Sequence, residues 1–428
     1  MHRQESDFRK IGVVGLGYVG LPLALSLVKS GYEVTGVDVD KERIKALRNG
    51  ESYIQDVTDE EICNGLKKGL FPTTNYNELA EVNGVSICVP TPLRKSGQPD
   101  VSFVVDASKR LASVLEKDSV VILESTVYPG ATEEVVAEHL SKNDWTVGED
   151  IYVAFSPERL DPANEQYTMR DIPKVVGGVT ESCADHAIAL YEPVFDEIIR
   201  VNDSTEAEFV KLLENTFRGV NIGLINELSL AANRIGVDIW NVIDAASTKP
   251  FGYMPFYPGP GLGGHCIPVD PKHLSWKAKQ KGLETRFIDL ADRINRKMPE
   301  HVVSRVSSLL NERGIPVLEA NVLVLGAAYK PDVSDTRESP ALDIIELLQS
   351  KDANVQYHDP HVPEIKTSKW EYESRQFTED LLRKQDCVII VTDHTVVDYK
   401  MVVECASLVF DTRNVIEESP EKSSVYKI

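Results

Sequence analysis

The sequence predicts an α/β protein with two Rossmann-like, doubly wound domains joined by a long central helix and an all-α linker domain. Short apolar strands alternate with helical patterns from about residue 10 to residue 200, and the same alternation returns from Asn321 onward. Long helical patterns occupy the region between them, beginning near residue 204. We therefore expect three segments, namely residues 1–204, 205–318 and 319–428.

Composition limits the classes of function. The 428-residue chain has a formal net charge of −21, which argues against nucleic acid as a partner because nucleic acid demands basic patches. No apolar run reaches the roughly 18 residues of a membrane span, and the N-terminus lacks the apolar segment of a signal peptide. Six scattered cysteines without a CxxC pair fit a reducing compartment. We expect a cytoplasmic protein without a membrane partner.

The first alternation opens with a dinucleotide motif. A strand at Ile11–Val14 leads directly into a glycine-rich turn, and a helix (about Leu21–Ser30) and a second strand (Glu33–Val37) follow. In this context GxGxxG is the fingerprint of dinucleotide binding. The acid after the second strand would accept hydrogen bonds from the adenosine ribose, which favours NAD over NADP. The residues expected at the cofactor are Gly15, Gly17, Tyr18, Val19, Gly20, Asp38 and Arg43. A Rossmann fold without cofactor is the alternative.

Polar side chains follow the next strands of the predicted sheet. Thr91, Thr126, Glu158 and Arg159 come after three apolar runs, and ligands bind at the carboxyl ends of strands in open parallel sheets. We expect them at a ligand site, although each threonine could instead cap the next helix. The elements predicted here are the strands Val85–Val89, Val120–Leu123 and Tyr152–Phe155, and a helix at Ser102–Leu115.

The central segment is helical. Thr205–Glu208 has the pattern of a capping box, and the helix behind it is expected to run to about Arg234. Lys211 and Asn215 lie four residues apart, on one face beside an apolar stripe. They suggest a site, the alternative being a solvated flank. Further helices are expected at Asp238–Ser247 and Ser275–Leu310, with a break near Gly282.

A glycine- and proline-rich stretch, Gly259–Pro271, lies between those helices. It contains one cysteine, Cys266, and Asp270 follows four residues later. Glycines without Cβ atoms let the backbone approach a ligand closely. The stretch can be interpreted as a nucleophilic thiol beside a carboxylate, or as a turn with an incidental cysteine.

The second alternation repeats the first. Gly326 and Asp359 take the places of the first glycine and the acid of the fingerprint, but the glycine motif itself is lost. We therefore expect this half to bind something other than NAD, and Lys330 suits a nucleotide diphosphate. His358 and His361 have no clear further ligands, so we expect no metal. The repeated elements are Val322–Leu325, Ala341–Gln349, Val355–Tyr357, Val388–Val391 and Leu408–Phe410.

The whole chain resembles the UDP-glucose/GDP-mannose dehydrogenase family of NAD-dependent nucleotide-sugar 6-dehydrogenases. The resemblance implies oxidation of a C6 hydroxyl to a carboxylate in two steps, with two NAD consumed and a covalent thioester formed. It also implies a homodimer through the central helix and a C-terminal domain that covers the UDP. The motifs that carry it are Gly15–Gly20 with Asp38, Glu124-Ser-Thr126, Ser156-Pro-Glu158, Lys211 with Asn215, Gly263–Asp270, and Lys330 with Arg337.

The resemblance implies roles for five residues in particular. Cys266 would trap the aldehyde as a thiohemiacetal, so that a second hydride can leave. Lys211 and Asn215 would donate hydrogen bonds to the C6 oxygen as negative charge develops. Asp270 with an ordered water, assisted by Lys211 and Thr126, would handle proton transfer and thioester hydrolysis.

Other site residues follow from the same resemblance. Glu158 matches a family residue near that water, but the second glutamate of some relatives is Pro162 here, which leaves the hydrolytic base open. Thr91, Thr126 and Arg337 would join the fingerprint residues at NAD. Substrate contacts are expected from Glu158, Arg159, Leu160, Lys211, Asn215, Arg218, Gly263, Lys330 and Arg413.

The choice of sugar depends on two stretches. Ser156–Arg159 looks like the branch that acts on N-acetylated sugars, and Thr248–Pro260 is similar to enzymes acting on UDP-N-acetylglucosamine. We expect UDP-N-acetylglucosamine first, UDP-N-acetylmannosamine second and UDP-glucose third. A one-step alcohol dehydrogenase or epimerase would use the same fingerprint without needing Cys266. A non-catalytic NAD sensor is the remaining alternative.

Overall fold

The computed structural model describes residues 9–54, 56–141, 144–160, 167–264, 266–367, 370–417 and 424–428. The chain divides into two compact units, Met1–Glu214 with Lys272–Glu284, and Asn215–Pro271 with Thr285–Ile428. Each unit contains one large sheet built mainly of parallel strands, which confirms the predicted α/β class. Within the described ranges, no helix is long and apolar enough to cross a membrane.

The sheet of the first unit has eight strands in the order β3-β2-β1-β4-β5-β6-β7-β8, and only the β6–β7 pair is antiparallel. Its strands are β1 Lys10–Val14, β2 Glu33–Val37, β3 Leu70–Thr73, β4 Gly84–Ile87, β5 Val120–Leu123, β6 Tyr152–Phe155, β7 Lys174–Gly178 and β8 Ile198–Arg200. Along β5, Val120 and Ile122 join one hydrophobic cluster, whereas Val121 and Leu123 join another. The sheet is therefore buried on both faces, which is why its strands read as continuous apolar runs.

Helices of the first unit connect these strands. They are α1 Gly20–Lys29, α2 Lys41–Asn49, α3 Asp59–Lys68, a 3₁₀ turn Tyr76–Leu79, α4 Ser102–Val114, a π-helix Thr132–Ala137 that continues as α5 Glu138–Leu140, and α6 Glu181–Tyr191. Gly31 ends α1 with φ +98°, a conformation in which a side chain is strained. The Asp40 carboxylate caps α2, accepting from the backbone N–H groups of Glu42 and Arg43.

The long helix α7 spans Ser204–Ile235 and passes from the first unit into the second. The capping box predicted at Thr205–Glu208 is wrong. Asp203 accepts a hydrogen bond from the backbone N–H of Glu206 at 2.8 Å, and Glu206 accepts from that of Asn202 at 3.0 Å. Asp203 therefore caps the helix in place of Thr205, and Glu206 folds back to the residue before that cap. Glu208 is left to turn inward.

The second unit contains a five-stranded parallel sheet in the order β10-β9-β13-β14-β15 and a two-stranded antiparallel ribbon, β11-β12. The strands are β9 Asn321–Leu325, β10 Asn354–His358, β11 Glu364–Lys366, β12 Glu371–Glu373, β13 Cys387–Ile390, β14 Leu408–Asp411 and β15 Ser424–Lys427. The remaining helices are α8 Ile239–Ser247, α9 Asp270–Gln280, α10 Arg286–Glu312, α11 Pro340–Gln349, α12 Glu379–Arg383 and α13 Tyr399–Cys405.

Helix α9 begins at Asp270, five residues before the predicted start, because the backbone of the cysteine loop already turns into the helix there. The predicted break at Gly282 is present, with φ +82°.

The two sheets repeat one motif, as the sequence predicted. Gly15 and Gly326 follow the first strand of each sheet with φ +90° and φ +86°. A Cβ atom on Gly15 would lie 2.6 Å from the Cys88 carbonyl oxygen, and one on Gly326 would lie 2.5 Å from Cβ of Thr392. Cys88 and Thr392 follow the neighbouring strands β4 and β13. Both turns therefore exclude a side chain for the same reason.

Candidate cofactor and active site

The glycine turn after β1 has the geometry that a dinucleotide requires. A Cβ atom on Gly20 would lie 1.8 Å from the Gly15 carbonyl oxygen, so only glycine lets α1 start so close to the turn. A Cβ atom on Gly17 would meet nothing within 4 Å, which leaves the backbone there open to a ligand. The positive end of the α1 dipole stabilises a phosphate at this point. The turn therefore fits the pyrophosphate of NAD.

Asp38 follows β2 and is buried. Its carboxylate accepts hydrogen bonds from the backbone N–H groups of Leu16 and Asp40, both at 2.9 Å, and the Arg43 guanidinium lies 3.4 Å away. These contacts fix its orientation and still leave lone pairs for the ribose hydroxyls. Two further residues of the glycine turn are expected at the cofactor. Tyr18 is exposed, and Val19 packs on the core.

The matching acid of the second unit is used differently. Asp359 accepts from the backbone N–H groups of Ala327, Ala328, His361 and Val362, and from Nε2 of His394 at 2.9 Å. These bonds hold the pKa of Asp359 at about 2, against the effect of its burial. With its lone pairs taken by the protein, this carboxylate has little capacity left for a ribose. This gives a physical reason to expect a different ligand in the second unit.

Neither strand-end threonine caps a helix. Helix α4 starts after Val101 and the π-helix after Ala131, in both cases without a side-chain cap. Thr91 is buried and Thr126 is half-buried. Between them, the Ser125 hydroxyl donates to the Val89 carbonyl at 2.7 Å, which ties the two strand-end loops together. The alternative of a capping role is therefore excluded for both threonines.

The Glu158–Leu160 segment follows β6. Oε1 of Glu158 accepts from the backbone N–H groups of Arg159 at 2.7 Å and Leu160 at 2.6 Å. The Arg159 guanidinium binds Oε1 of Glu214 at 2.7 Å and the Pro173 carbonyl at 2.8 Å. It is thus held by the protein on two sides, whereas Leu160 packs on the core. Pro162 lies outside the described residues.

Glu208 does not belong to a helix cap, as the sequence pattern predicted, but binds a loop of the first unit. Its carboxylate is fully buried and accepts from the backbone N–H of Gly130 and from both the backbone N–H and the hydroxyl of Thr132, the latter two at 2.7 Å. Burial raises its pKa to about 7 in spite of these donors. Glu208 therefore anchors the loop that follows Thr126 to the first turns of α7.

Asn215 and Asp270 are brought together in the second unit. The Asn215 side-chain amide donates to Oδ2 of Asp270, and both residues are buried. Lys211 lies one turn before Asn215 on the same face of α7 and is half-buried, and Arg218 is exposed on this helix. The structure thus supplies the amide–carboxylate pair that the sequence left as separate candidates.

Cys266 lies exposed immediately before α9. Its carbonyl oxygen accepts from the backbone N–H groups of Val269 at 3.1 Å and Asp270 at 2.8 Å, which starts the helix. The Cys266 carbonyl oxygen is thus placed against the backbone N–H groups at the start of α9.

Tyr329 packs over the glycines of the cysteine loop, and no sequence pattern marks it as a candidate. A Cβ atom on Gly264 would lie 2.9 Å from its ring, and one on Gly263 would lie 2.6 Å from its Cβ. The backbone N–H of Gly264 donates to the Arg337 carbonyl at 3.0 Å. The segment after β9 therefore holds the loop in place two residues before Cys266.

Asn226 and Asn295 hold the start of the same loop. Asn226 accepts from the backbone N–H of Gly259 at 2.9 Å and donates to Asn295, which in turn donates to the Gly219 carbonyl at 3.1 Å. Both asparagines are buried, and each links a helix to the loop or to the other helix. They could not be recognised from sequence, because an isolated asparagine in a helix has no motif.

Of the basic residues expected at the substrate, Arg413 lies against the start of the cysteine loop. Arg413 donates through Nε to the Val391 carbonyl at 2.7 Å, and its Nη1 would lie 3.0 Å from a Cβ atom on Gly259. Burial lowers the pKa of Arg413 below its ordinary value. Lys330, which is also expected at the substrate, is half-buried. Arg337, which is expected at NAD, is exposed, and its guanidinium binds the Asp335 carboxylate at 2.6 Å.

Comparisons with known proteins agree with this geometry. Models of three domains of the UDP-glucose/GDP-mannose dehydrogenase family match consecutive parts of the chain. They are the NAD binding domain over residues 9–195, the central domain over 205–297 and the UDP binding domain over 323–418. A UDP-N-acetyl-D-mannosamine dehydrogenase of Methanococcus maripaludis strain C7 is 34% identical, over 99% of this chain and 96% of its own. The chain belongs to the UDP-glucose/GDP-mannose dehydrogenase family. It is an NAD-dependent UDP-sugar dehydrogenase, which confirms the predicted cofactor.

Two further relatives bear on the substrate of this dehydrogenase. It is 38% identical to a UDP-N-acetyl-D-glucosamine 6-dehydrogenase of Pseudomonas aeruginosa, over 82% of this chain and 83% of that one. A structure described as a UDP-D-ManNAc dehydrogenase from Pyrococcus horikoshii superposes with a TM-score of 0.90 at 34% identity, covering 98% of this chain and 99% of that one. Relatives named for two C2-epimeric sugars are thus similar to this enzyme to nearly the same degree.

Proposed function

We propose that the enzyme oxidises the C6 hydroxyl of UDP-N-acetylglucosamine to the carboxylate of UDP-N-acetylglucosaminuronate, in two NAD-dependent steps through a covalent intermediate on Cys266. The observation that carries this proposal is the cysteine loop. An exposed cysteine lies in the turn that leads into α9, four residues before a buried Asp270 to which the Asn215 side chain donates a hydrogen bond. A dehydrogenase that stopped at an aldehyde would have no use for this arrangement.

The chemistry explains why a thiol is required. Bound NAD accepts a hydride from C6 in each step. An aldehyde carries no hydroxyl to lose a proton, so it must first gain one by addition of a nucleophile, and a thiol gives a thiohemiacetal. Loss of the second hydride leaves a thioester, which water then hydrolyses to the acid and the restored thiol.

The residues that would share this work have distinct positions. Asn215 and Lys211, one turn apart on α7, would donate hydrogen bonds to the C6 oxygen. Asp270 would accept protons, because its buried carboxylate is already oriented by Asn215. Thr126 and Glu158, at the strand ends of the first unit, would act on the water. In the second unit, Lys330 and Arg413 would neutralise the diphosphate of the UDP.

UDP-N-acetylmannosamine is the second candidate substrate, since relatives with that name match nearly the whole chain. The two sugars differ only in the configuration at C2. We favour the glucosamine epimer because the Thr248–Pro260 stretch is similar to enzymes acting on it, and because the relative from Pseudomonas aeruginosa has the higher identity, 38%.

We also propose a homodimer formed through α7. Six large apolar side chains of this helix are between 44% and 75% exposed, and at 100° per residue all of them fall within one face of it. A helix face of this kind normally packs against another surface. The residues are Phe209, Leu213, Phe217, Leu224, Leu228 and Ile235. A cytoplasmic location is supported by the six cysteines, all in the described ranges, of which no two form a disulfide.

NADH formation against a panel of UDP-sugars tests the proposal. We expect two NADH for each UDP-N-acetylglucosamine consumed, with a lower kcat/KM for UDP-N-acetylmannosamine and the lowest for UDP-glucose. A higher kcat/KM for either of the other two sugars would overturn the choice of substrate. One NADH per sugar would overturn the two-step reaction, and no NADH with any sugar would favour an NAD sensor.

A further inference from the structure

A buried charge cluster adjoins Glu158, and no part of the proposed chemistry uses it. Lys174, on β7, donates to Oε2 of Glu124 at 2.6 Å and to the Pro157 carbonyl at 3.2 Å. Its Nζ also lies 3.7 Å from Oε2 of Glu158. The Tyr191 hydroxyl donates to the other oxygen of Glu124. The side chains of Lys174 and Glu124 are only 4% and 0% exposed, so water does not screen their charges.

The cluster is unbalanced, with one ammonium between two carboxylates. Burial alone would lower the pKa of Lys174, but Glu124 and Glu158 outweigh burial and raise it. Burial raises the pKa of Glu124, and the nearby charge of Glu158 adds to this while Lys174 opposes it. The ammonium is thus held firmly, and the two carboxylates compete for it.

The two oxygens of Glu158 have different surroundings. Oε1 accepts from two backbone N–H groups, which fixes the plane of the carboxylate. Oε2 is buried and accepts no hydrogen bond from the residues that the structure describes, although it faces Lys174 at 3.7 Å. Glu158 is thus oriented by the backbone through one oxygen, and its other oxygen faces the ammonium of Lys174.

We propose that Lys174 is a positioning residue that keeps Glu158 ionised and oriented for its work on water, and that Glu124 sets how much of the lysine's charge reaches Glu158. This inference rests on the proposed role of Glu158. It predicts opposite effects for two substitutions. In Lys174→Met the cation is lost, so the ionised form of Glu158 is disfavoured. In Glu124→Gln the lysine keeps Glu158 as its sole carboxylate partner, so the ionised form is favoured.

The position of the acidic limb in a plot of kcat against pH measures the opposite effects expected for these two substitutions. We expect Lys174→Met to lower kcat at neutral pH about tenfold or more, with KM changed less than about threefold, and to move the limb up by about one pH unit. Glu124→Gln should move the acidic limb to lower pH. Lys174→Arg keeps the cation and should therefore keep the limb at its wild-type position.

The double variant Lys174→Met/Glu124→Gln separates positioning from folding. Lys174→Met alone leaves Glu124 buried without its cation, which is strongly destabilising, whereas the double variant removes both charges and should regain most of the lost melting temperature. Its acidic limb should lie below that of Lys174→Met, because the charge of Glu124 is gone, but above the wild-type position, because Glu158 still lacks the cation. A limb that returned to the wild-type position with the melting temperature would overturn the inference.

Isotope-edited infrared titration distinguishes this inference from the proposed function. The carboxyl band of Glu158, identified as the one lost in Glu158→Gln, should shift its titration midpoint in the same opposite directions without any turnover. An enzyme that oxidises no UDP-sugar contradicts the proposed function. Unchanged midpoints in Lys174→Met and Glu124→Gln contradict the inference, whatever the activity.

Discussion

Gly264→Ala should disable the cysteine loop without touching the thiol. Gly264 has φ +85°, so an alanine there is strained by about 1–2 kcal/mol. Its Cβ atom would also lie 2.9, 3.1 and 3.2 Å from three ring atoms of Tyr329, and overpacking of this kind costs about 1–3 kcal/mol. A Cβ atom on the neighbouring Gly263 would lie 2.6 Å from Cβ of the same tyrosine, so Tyr329 packs on both glycines. The two contributions together reach about 2–5 kcal/mol.

The chain can relieve this strain by moving the loop, and Cys266 lies only two residues away. A shift of about 1 Å at a reacting group can cost on the order of 10²-fold in rate. We therefore expect kcat for NADH formation to fall about 10- to 100-fold, together with a loss of melting temperature.

Gly252→Ala is the matched control, because Gly252 has φ +68° in the same unit but nothing lies within 4 Å of its added Cβ. It carries the backbone strain alone and should keep most of the activity. Equal effects of the two substitutions on kcat would refute the role assigned to Tyr329. Tyr329→Ala added to Gly264→Ala should recover part of the lost stability.

Three further predictions follow from other elements. Asp38→Asn should raise the KM for NAD about tenfold. It should also narrow the preference for NAD over NADP, because a neutral amide no longer repels a 2′-phosphate. Steady-state kinetics with both cofactors tests this, and the control variant Asp359→Asn should leave the KM for NAD unchanged. Glu208 has its pKa raised from 4.5 to about 7, so the folded state retains a proton that the unfolded state has lost between those values. The free energy of unfolding should therefore fall as the pH rises through that window, by about 3 kcal/mol at most, and denaturant titrations of Glu208→Gln should lack this slope. Leu224→Glu should convert the proposed dimer to monomers in light scattering, whereas Asn233→Glu, on the opposite face of α7, should not; equal masses for both would contradict the dimer interface.

The strands and the cofactor turn could be predicted from the sequence because their signals are local. A strand buried on both faces is a short apolar run, and β5 begins and ends where that run does, at Val120 and Leu123. Gly15 and Gly20 lie five positions apart, and the clash that requires glycine at Gly20 is with the Gly15 carbonyl oxygen of the same turn. Asp38 is fixed by its place after β2.

Residues whose role depends on distant partners could not be predicted in this way. Lys174 and Glu124 are 50 residues apart, and Glu208 and Thr132 are 76 apart. A lone lysine or glutamate in a sequence is ordinarily solvated, so nothing marks these side chains as buried. The misplaced capping box has the same cause, since Thr205–Glu208 satisfies the local pattern while Glu208 finds better donors across the fold.

The central claim is a covalent intermediate on Cys266, and rapid-quench mass spectrometry of the cysteine peptide tests it most directly. With UDP-N-acetylglucosamine and NAD, we expect a transient sugar–nucleotide adduct on the peptide that contains Cys266, formed as NADH appears and lost as the acid is released. In Cys266→Ser the adduct on sulfur is absent, and steady-state formation of two NADH per sugar should fall at least about 10³-fold. Two NADH formed at an undiminished rate by Cys266→Ser, with no adduct in the wild-type enzyme, would contradict the account.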